Sequence, residues 1–150
     1  MNPTNEPNQH DTHAPQGVLQ LRVVVEVDDY DDAVSFYRDH LGMPEEFSVD
    51  SGHDARVVAL RAGRATLELV TAEQRRLIDR LEVGRDVSPP IRLAFEVAHV
   101  DTATTRMIDA GAEPIAPPTE TPWRSLNSRL DGPGPIQFTL FQELDTGPPS

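Results

Sequence analysis

Two short stretches decide how this chain is read: LRVVVEV, Leu21–Val27, and IRLAFEV, Ile91–Val97. Each has arginine second, glutamate sixth and valine last. In the first, Leu21, Val23, Val25 and Val27 alternate with Arg22, Val24 and Glu26, and Leu19 and Gln20 extend the pattern backwards. In the second, Ile91, Leu93, Phe95 and Val97 alternate with Arg92, Ala94 and Glu96. Side chains of a strand point to opposite faces in turn, so each stretch predicts a β-strand with one apolar face and an arginine on the other.

The text around each strand repeats as well. After the first, Asp29 is placed to cap a helix with Ala33, Phe36, Tyr37, His40 and Leu41 on one stripe, closed by Gly42. Strands are predicted at Glu46–Val49, Ala55–Leu60 and Ala65–Val70. In the last of these Leu67 and Leu69 oppose Thr66 and Glu68. Thr71 and Gln74 have the spacing of a capping box and open a short helix with Leu77, Ile78 and Leu81 on its apolar stripe. The segment 84–90 is rich in breakers and reads as a linker. The order then restarts with the second stretch, a helix over Asp101–Ala110 and Gly111. An extended piece at Pro114–Pro118, a strand at Ser125–Leu130, a turn at Asp131–Pro135 and a last strand at Ile136–Gln142 follow. In that strand Phe138 and Leu140 oppose Gln137, Thr139 and Phe141. Arg22 to Arg92, Asp31 to Asp101 and Ala33 to Ala103 keep one offset of 70 residues. The chain is therefore a duplicated βαβββ module, module 1 over about 18–83 and module 2 over about 91–144. The segments 1–17 and 145–150 are expected to be disordered tails, since they carry almost no bulky apolar residue.

Composition narrows the partners. The chain has 150 residues, 25 Asp and Glu against 13 basic residues, and a net charge of −12. Nucleic acid binding calls for a basic face and is not expected. Cysteine is absent, so neither disulfides nor thiolate metal sites can form. No apolar run approaches the ~20 residues that span a bilayer, and the N-terminus has no secretion-signal pattern. A cytoplasmic protein without membrane contact is the expectation.

The paired modules, with Val27-Asp28-Asp29, Ala33-Val34-Ser35-Phe36-Tyr37 and Leu41-Gly42 in the first, resemble the vicinal oxygen chelate superfamily. This group includes glyoxalase I, extradiol dioxygenases, methylmalonyl-CoA epimerase and bleomycin-binding proteins. Pro122-Trp123-Arg124 and the closing Phe138-Thr139-Leu140-Phe141-Gln142 add to the likeness. The resemblance implies an α+β fold in which two tandem βαβββ modules curl a mixed sheet into a cup, with helices outside and a ligand inside. It also implies a homodimer. Metal-dependent members place one ligand on each of four strands, at positions matching Arg22, Glu68, Arg92 and Thr139. A guanidinium has no lone pair to give and threonine is a poor ligand, so no metal and no cofactor is expected here. His10, His13, His40, His53 and His99 are scattered and supply no replacement set.

What these positions offer instead is charge. Opposite in phase to the apolar faces, Arg22, Glu68, Arg92 and Thr139 are expected to converge inside the cup, with Gln20, Gln137 and Phe141 around them and Trp123 at its mouth as a stacking surface. Glu26 and Glu96 point to the same side, toward arginines such as Arg124 or Arg129 or toward water. Two guanidiniums about one carboxylate leave an excess positive charge, which favours an anionic group on a ligand or else a salt-bridge network filling the cup. Two functional readings follow. One is a metal-independent, small-molecule-binding protein of the bleomycin-resistance kind. The other is a metal-independent isomerase, lyase or cyclase with Glu68 as base and Arg22 and Arg92 stabilising an anion. Flanking guanidiniums are expected to lower the Glu68 pKa, which counts against the second. A glyoxalase-like metalloenzyme is a third and weaker reading.

Overall fold

The computed structural model describes residues 17–134 and 136–144. Apart from Gly17, the two expected tails lie outside these residues. Module 1 comprises β1 (Gln20–Glu26), α1 (Tyr30–Val34), β2 (Glu45–Asp50), β3 (Arg56–Ala62) and β4 (Ala65–Val70). The connecting helix α2 (Ala72–Glu82) follows. Module 2 comprises β5 (Ile91–Glu96), α3 (Val100–Asp109), β6 (Glu113–Glu120), β7 (Ser125–Gly132) and β8 (Ile136–Glu143).

All eight strands form one mixed sheet in the order β2-β3-β4-β1-β5-β8-β7-β6. The two opening strands meet antiparallel at its centre, with Arg22 opposite Ala94 and Val24 opposite Arg92. Each is flanked by the last strand of its own module in parallel, β4 beside β1 and β8 beside β5. The order is thus the same in both modules when read outward from the centre, as duplication requires.

The alternation read from the sequence fixes which face is which. Leu69 packs with Val58, Leu60 and Val34 on one side of the sheet. Phe138 and Leu140 pack with Leu130 and Val100, and Ala103 and Met107 of α3 lie against them. Each fully buried side chain of this size contributes roughly 1.5–3 kcal/mol. These two clusters, under α1 and α3, form the outer core. A third cluster, Val24, Val57 and Val70, lies on the opposite face and begins the cup.

The first helix departs from its expected stripe. Asp29 accepts from the Asp32 N–H as a cap at 3.0 Å, but after Val34 the helix continues as a π-helical segment, Ser35–His40. The Leu41 N–H donates to the Phe36 carbonyl, five residues back. Widening the turn rotates the later residues away from the face predicted at 3.6 residues per turn. Ala33 and Tyr37 still pack on the core, whereas Phe36 is 58% exposed and His40 and Leu41 also face out. Gly42 closes the segment at φ +83°, where an L side chain would be strained.

The connecting helix α2 also packs differently from its sequence pattern. Thr71 caps it, accepting from the Gln74 N–H at 3.1 Å. Its buried residues are Gln74, Asp79 and Glu82, while Leu77, Ile78 and Leu81 are only partly buried. The reason is its place: α2 lies against the cup side of the sheet, where its buried partners on β7 are polar.

Candidate functional site

The concave face is built from the residues out of phase with the outer core. From β1 come Arg22 and Val24, from β4 Glu68 and Val70, from β5 Arg92 and Ala94, and from β8 Thr139 and Phe141. With α2 and the 88–90 linker these residues enclose a cavity of about 330 Å³. That volume is at the small end of ligand pockets, which run from about 300 to 1,000 Å³. Of the eight residues expected to bind, Arg22, Glu68, Arg92, Thr139, Phe141 and Trp123 line it. Trp123 stands at the rim, 47% exposed. Gln20 and Gln137 share the concave face but do not line the cavity. Gln20 donates to Thr66 at 2.7 Å and accepts from Arg22 at 3.3 Å. Gln137 lies beneath the linker, accepting from Arg129 and donating to the Val87 carbonyl.

Arg22 is fixed by its surroundings. Its guanidinium lies 4.8 Å from the centre of the Phe141 ring and 5.5 Å from that of Phe47, a cation–π arrangement. It also faces Glu68 at 3.4 Å and Glu143 at 3.7 Å. Arg92 is different. Its Nη1 donates to Thr139 Oγ1 at 3.0 Å, and among the described residues no carboxylate lies within 4 Å of it. Burial lowers the Arg92 pKa and nearby Arg129 lowers it further, against the pull of Glu82 and Glu68. Guanidinium still remains protonated in proteins, so the cavity wall carries a half-buried cation without a counter-charge in contact.

Glu68 corrects one expectation. Burial raises its pKa and outweighs the opposing fields of Arg22 and Arg92. The carboxylate sits between two cations, yet loss of water decides the sign. Burial and the neighbouring Glu143 raise Glu96 likewise.

The expected partners of the strand-end glutamates are also replaced. Glu26 accepts from Arg75 of α2 at 3.1 Å, Arg124 pairs with Glu120 at 3.0 Å, and Arg129 is taken up elsewhere. Its side chain is 0% exposed and bonds to Asp79 at 3.0 Å and to Glu82 at 2.6 Å. Ser88 and Gln137 accept from the same guanidinium at 2.7 and 2.9 Å, and Asn127 donates to Glu82 at 2.6 Å. The account of two guanidiniums about one carboxylate is therefore incomplete, because α2 brings two more carboxylates to the cup. Sequence reasoning missed Arg129 as a buried group. The signal was its phase, in step with Ser125 and Asn127 and opposite to Leu126 and Leu130. Phe47 and Val49 on β2 were missed as cavity walls, their strand being short and mostly exposed.

This cup of two modules agrees with a direct comparison: the family model described as glyoxalase/bleomycin resistance protein/dioxygenase superfamily matches residues 20–140. The chain belongs to this superfamily. A search of curated proteins finds no match. Among solved structures, a hypothetical protein from Bacillus halodurans superposes with TM-score 0.59 at 13% identity, covering 89% of this chain and 98% of its own. Methylmalonyl-CoA epimerase from Mycobacterium tuberculosis gives 0.57 at 20% identity, covering 87% and 90%. A variant of 4-hydroxymandelate synthase from Streptomyces coelicolor gives 0.58 at 24%, covering 87% of this chain and 39% of that one. At these identities the likeness is one of fold.

The four positions that superfamily resemblance assigned to metal ligands do converge on the cavity, but their chemistry does not fit a divalent cation. Two are guanidiniums without lone pairs, one is a hydroxyl, and only Glu68 is a carboxylate. Among the described residues no three His, Cys, Asp or Glu side chains come together to hold a metal elsewhere. No helix among them is long and apolar enough to cross a membrane.

Proposed function

We propose that the protein binds a small organic molecule in the cup without a metal, gripping a carboxylate or comparable oxygen acceptor of the ligand with Arg92. The observation that carries this reading is the Arg92 guanidinium on the cavity wall with no carboxylate in contact. A guanidinium removed from water is costly unless paired, and it takes an oxyanion through two parallel hydrogen bonds. Val24, Val57, Val70, Leu77 and Ile78 give part of the wall an apolar surface that suits the body of such a ligand, beside polar groups such as Asn127 and Glu82. Gln74 Oε1, also buried at the cavity, has no donor among the described residues and would accept from an N–H or O–H of the ligand. Glu143 at the cavity and the net charge of −12 disfavour polyanions and suit a ligand with a cationic end. The drug-binding members of the superfamily are the functional model.

Thermal-shift and calorimetric titration with benzoate-like carboxylates, in chelator, tests it. Stabilisation by a carboxylate, lost in Arg92→Met, is the expected result. Stabilisation by metal chlorides that chelator removes would overturn the metal-free reading.

A second reading, catalysis by proton transfer, is favoured by the raised pKa of Glu68. A carboxyl group poised nearer neutrality is a better acid–base catalyst. Two solved neighbours are named for enzymes, an epimerase and a synthase, which supports this reading by fold analogy alone. Exchange of a bound carbonyl compound's α-proton into heavy water, absent in Glu68→Gln, would establish it.

A further inference from the structure

Arg129 has no role in the binding reading above, yet its charged side chain is fully buried on the cup face, as is that of its partner Asp79. Its two carboxylate partners come from one turn of α2, Asp79 and Glu82. The backbone N–H groups of Val87 and Ser88 also donate to Asp79, at 2.9 and 2.8 Å, so the linker after α2 is tied to the same point. Burial works to raise the pKa of Asp79, but the bonds from Ser88, Val87 and Arg129 overcome it and leave it lowered. The knot is therefore ionic. Leu77 and Ile78 of α2 form a wall of the cavity, and Glu82, Ser88 and Asn127 of the network also line it, whereas Arg129 and Gln137 lie behind them and do not reach it.

We infer that Arg129 is a specificity-determining residue: by clamping Asp79 and Glu82 it holds α2 and the linker across the module 2 half of the cup, which limits the site to small ligands. The chain itself fills the part of the cup that a larger ligand would need. The clamp fixes α2 by geometry: Asp79 and Glu82 are each held at a set position by the one guanidinium, and separating any one of them would leave a buried charge unpaired. The clamp bears on ligand size only if the cup is the binding site, so this inference rests on the function proposed above. The holding of α2 does not depend on that reading.

The test uses the full chain with Arg129→Met, Asp79→Asn and Glu82→Gln combined, which removes the ion pairs without stranding a buried charge. Hydrogen exchange of the ligand-free protein should rise at least tenfold over residues 72–90 while β1, β5 and β8 keep wild-type protection. The bulky aromatic sulfonate 1-anilinonaphthalene-8-sulfonate should bind the variant at least tenfold more tightly than wild type. If the triple variant does not fold, Glu82→Gln alone should show the same local pattern at smaller amplitude. Exchange over 72–90 that stays at the wild-type level, or that rises equally across the whole sheet, would show that Arg129 is not a clamp on α2. Local loosening with unchanged sulfonate affinity would overturn the limit on ligand size. Failure of wild type to bind any small carboxylate, with the local exchange change intact, would sink the Arg92 binding reading and leave the clamp standing.

Discussion

Arg92 and Glu68 stand on opposite flanks of one residue, Val24, which pairs with each of them across the sheet, and they make no ion pair. Neighbouring strands are about 4.8 Å apart, so the backbones of the two residues lie roughly 10 Å from one another with Val24 between. Glu68 is turned toward Arg22 instead, leaving Arg92 with Thr139.

Replacing Arg92 by methionine should therefore leave the fold intact and raise its stability, by about 1 kcal/mol, since a half-buried cation without a carboxylate in contact is removed. Chemical denaturation measures this. The same substitution should weaken carboxylate binding at least tenfold, so stability and affinity move in opposite directions. A loss of stability would mean that Arg92 is satisfied in a way the geometry does not show.

Glu68 has the opposite linkage from most carboxylates. Its pKa is raised in the folded protein above the ordinary glutamate value of 4.5, so between the unfolded and folded values the folded state holds more protons. Stability then falls as pH rises from about 4.5 through the folded pKa. Glu68→Gln should remove this slope: relative to wild type, the variant should gain stability as pH rises through that window. Denaturation of both proteins from pH 4 to 8 checks the sign, and parallel curves would contradict it.

Arg129→Ala should cost roughly 3–5 kcal/mol, because Glu82 would remain buried without a cation and Asp79 would keep only the longer contact to Arg75 at 3.6 Å. The loss should be far larger than for Arg124→Ala, whose pair with Glu120 is half exposed and contributes at most about 1 kcal/mol. Equal losses would mean that the Arg129 group is hydrated in solution.

Trp123 is the only tryptophan in the chain and stands at the rim of the cavity, so it reports on the site directly. Its emission should shift to shorter wavelength when a ligand enters the cup, with a midpoint matching calorimetry. Trp123→Phe should bind within a few-fold of wild type, whereas Trp123→Ala should bind more weakly. An unchanged spectrum at saturation would place the ligand elsewhere.

How legible all this was depended on whether a residue's phase or its partner mattered. Strict alternation in Leu21–Val27 and Ile91–Val97 gave the strands, their inner and outer faces and the duplication, because one buried face forces a period of two. The convergence of Arg22, Glu68, Arg92 and Thr139 followed from that phase. The π-helical segment after Val34 was not legible, since an added residue in a turn leaves no mark on composition and turned Phe36 and Leu41 outward. The buried acidic face of α2 was hidden for another reason. Asp79 and Glu82 look like an ordinary solvated helix surface until Arg129, 50 and 47 residues away, is placed beside them. The sign of the Glu68 pKa was misjudged from charge counting alone, because desolvation appears only once the cavity walls are in place.

The sheet is open, and its two outer strands, β2 and β6, are poor templates for a further strand. Pro114, Pro117 and Pro118 in β6 have no N–H to donate, and its pairing with β7 is already broken by register shifts. Glu45, Glu46 and Asp50 charge β2. A neighbouring molecule that tried to extend the sheet would meet missing donors at one end and repulsion at the other, two of the means by which exposed strand edges are kept from aggregating. Extension of the sheet by a second copy through β2 or β6 is thereby disfavoured, although both strands have an unpaired edge.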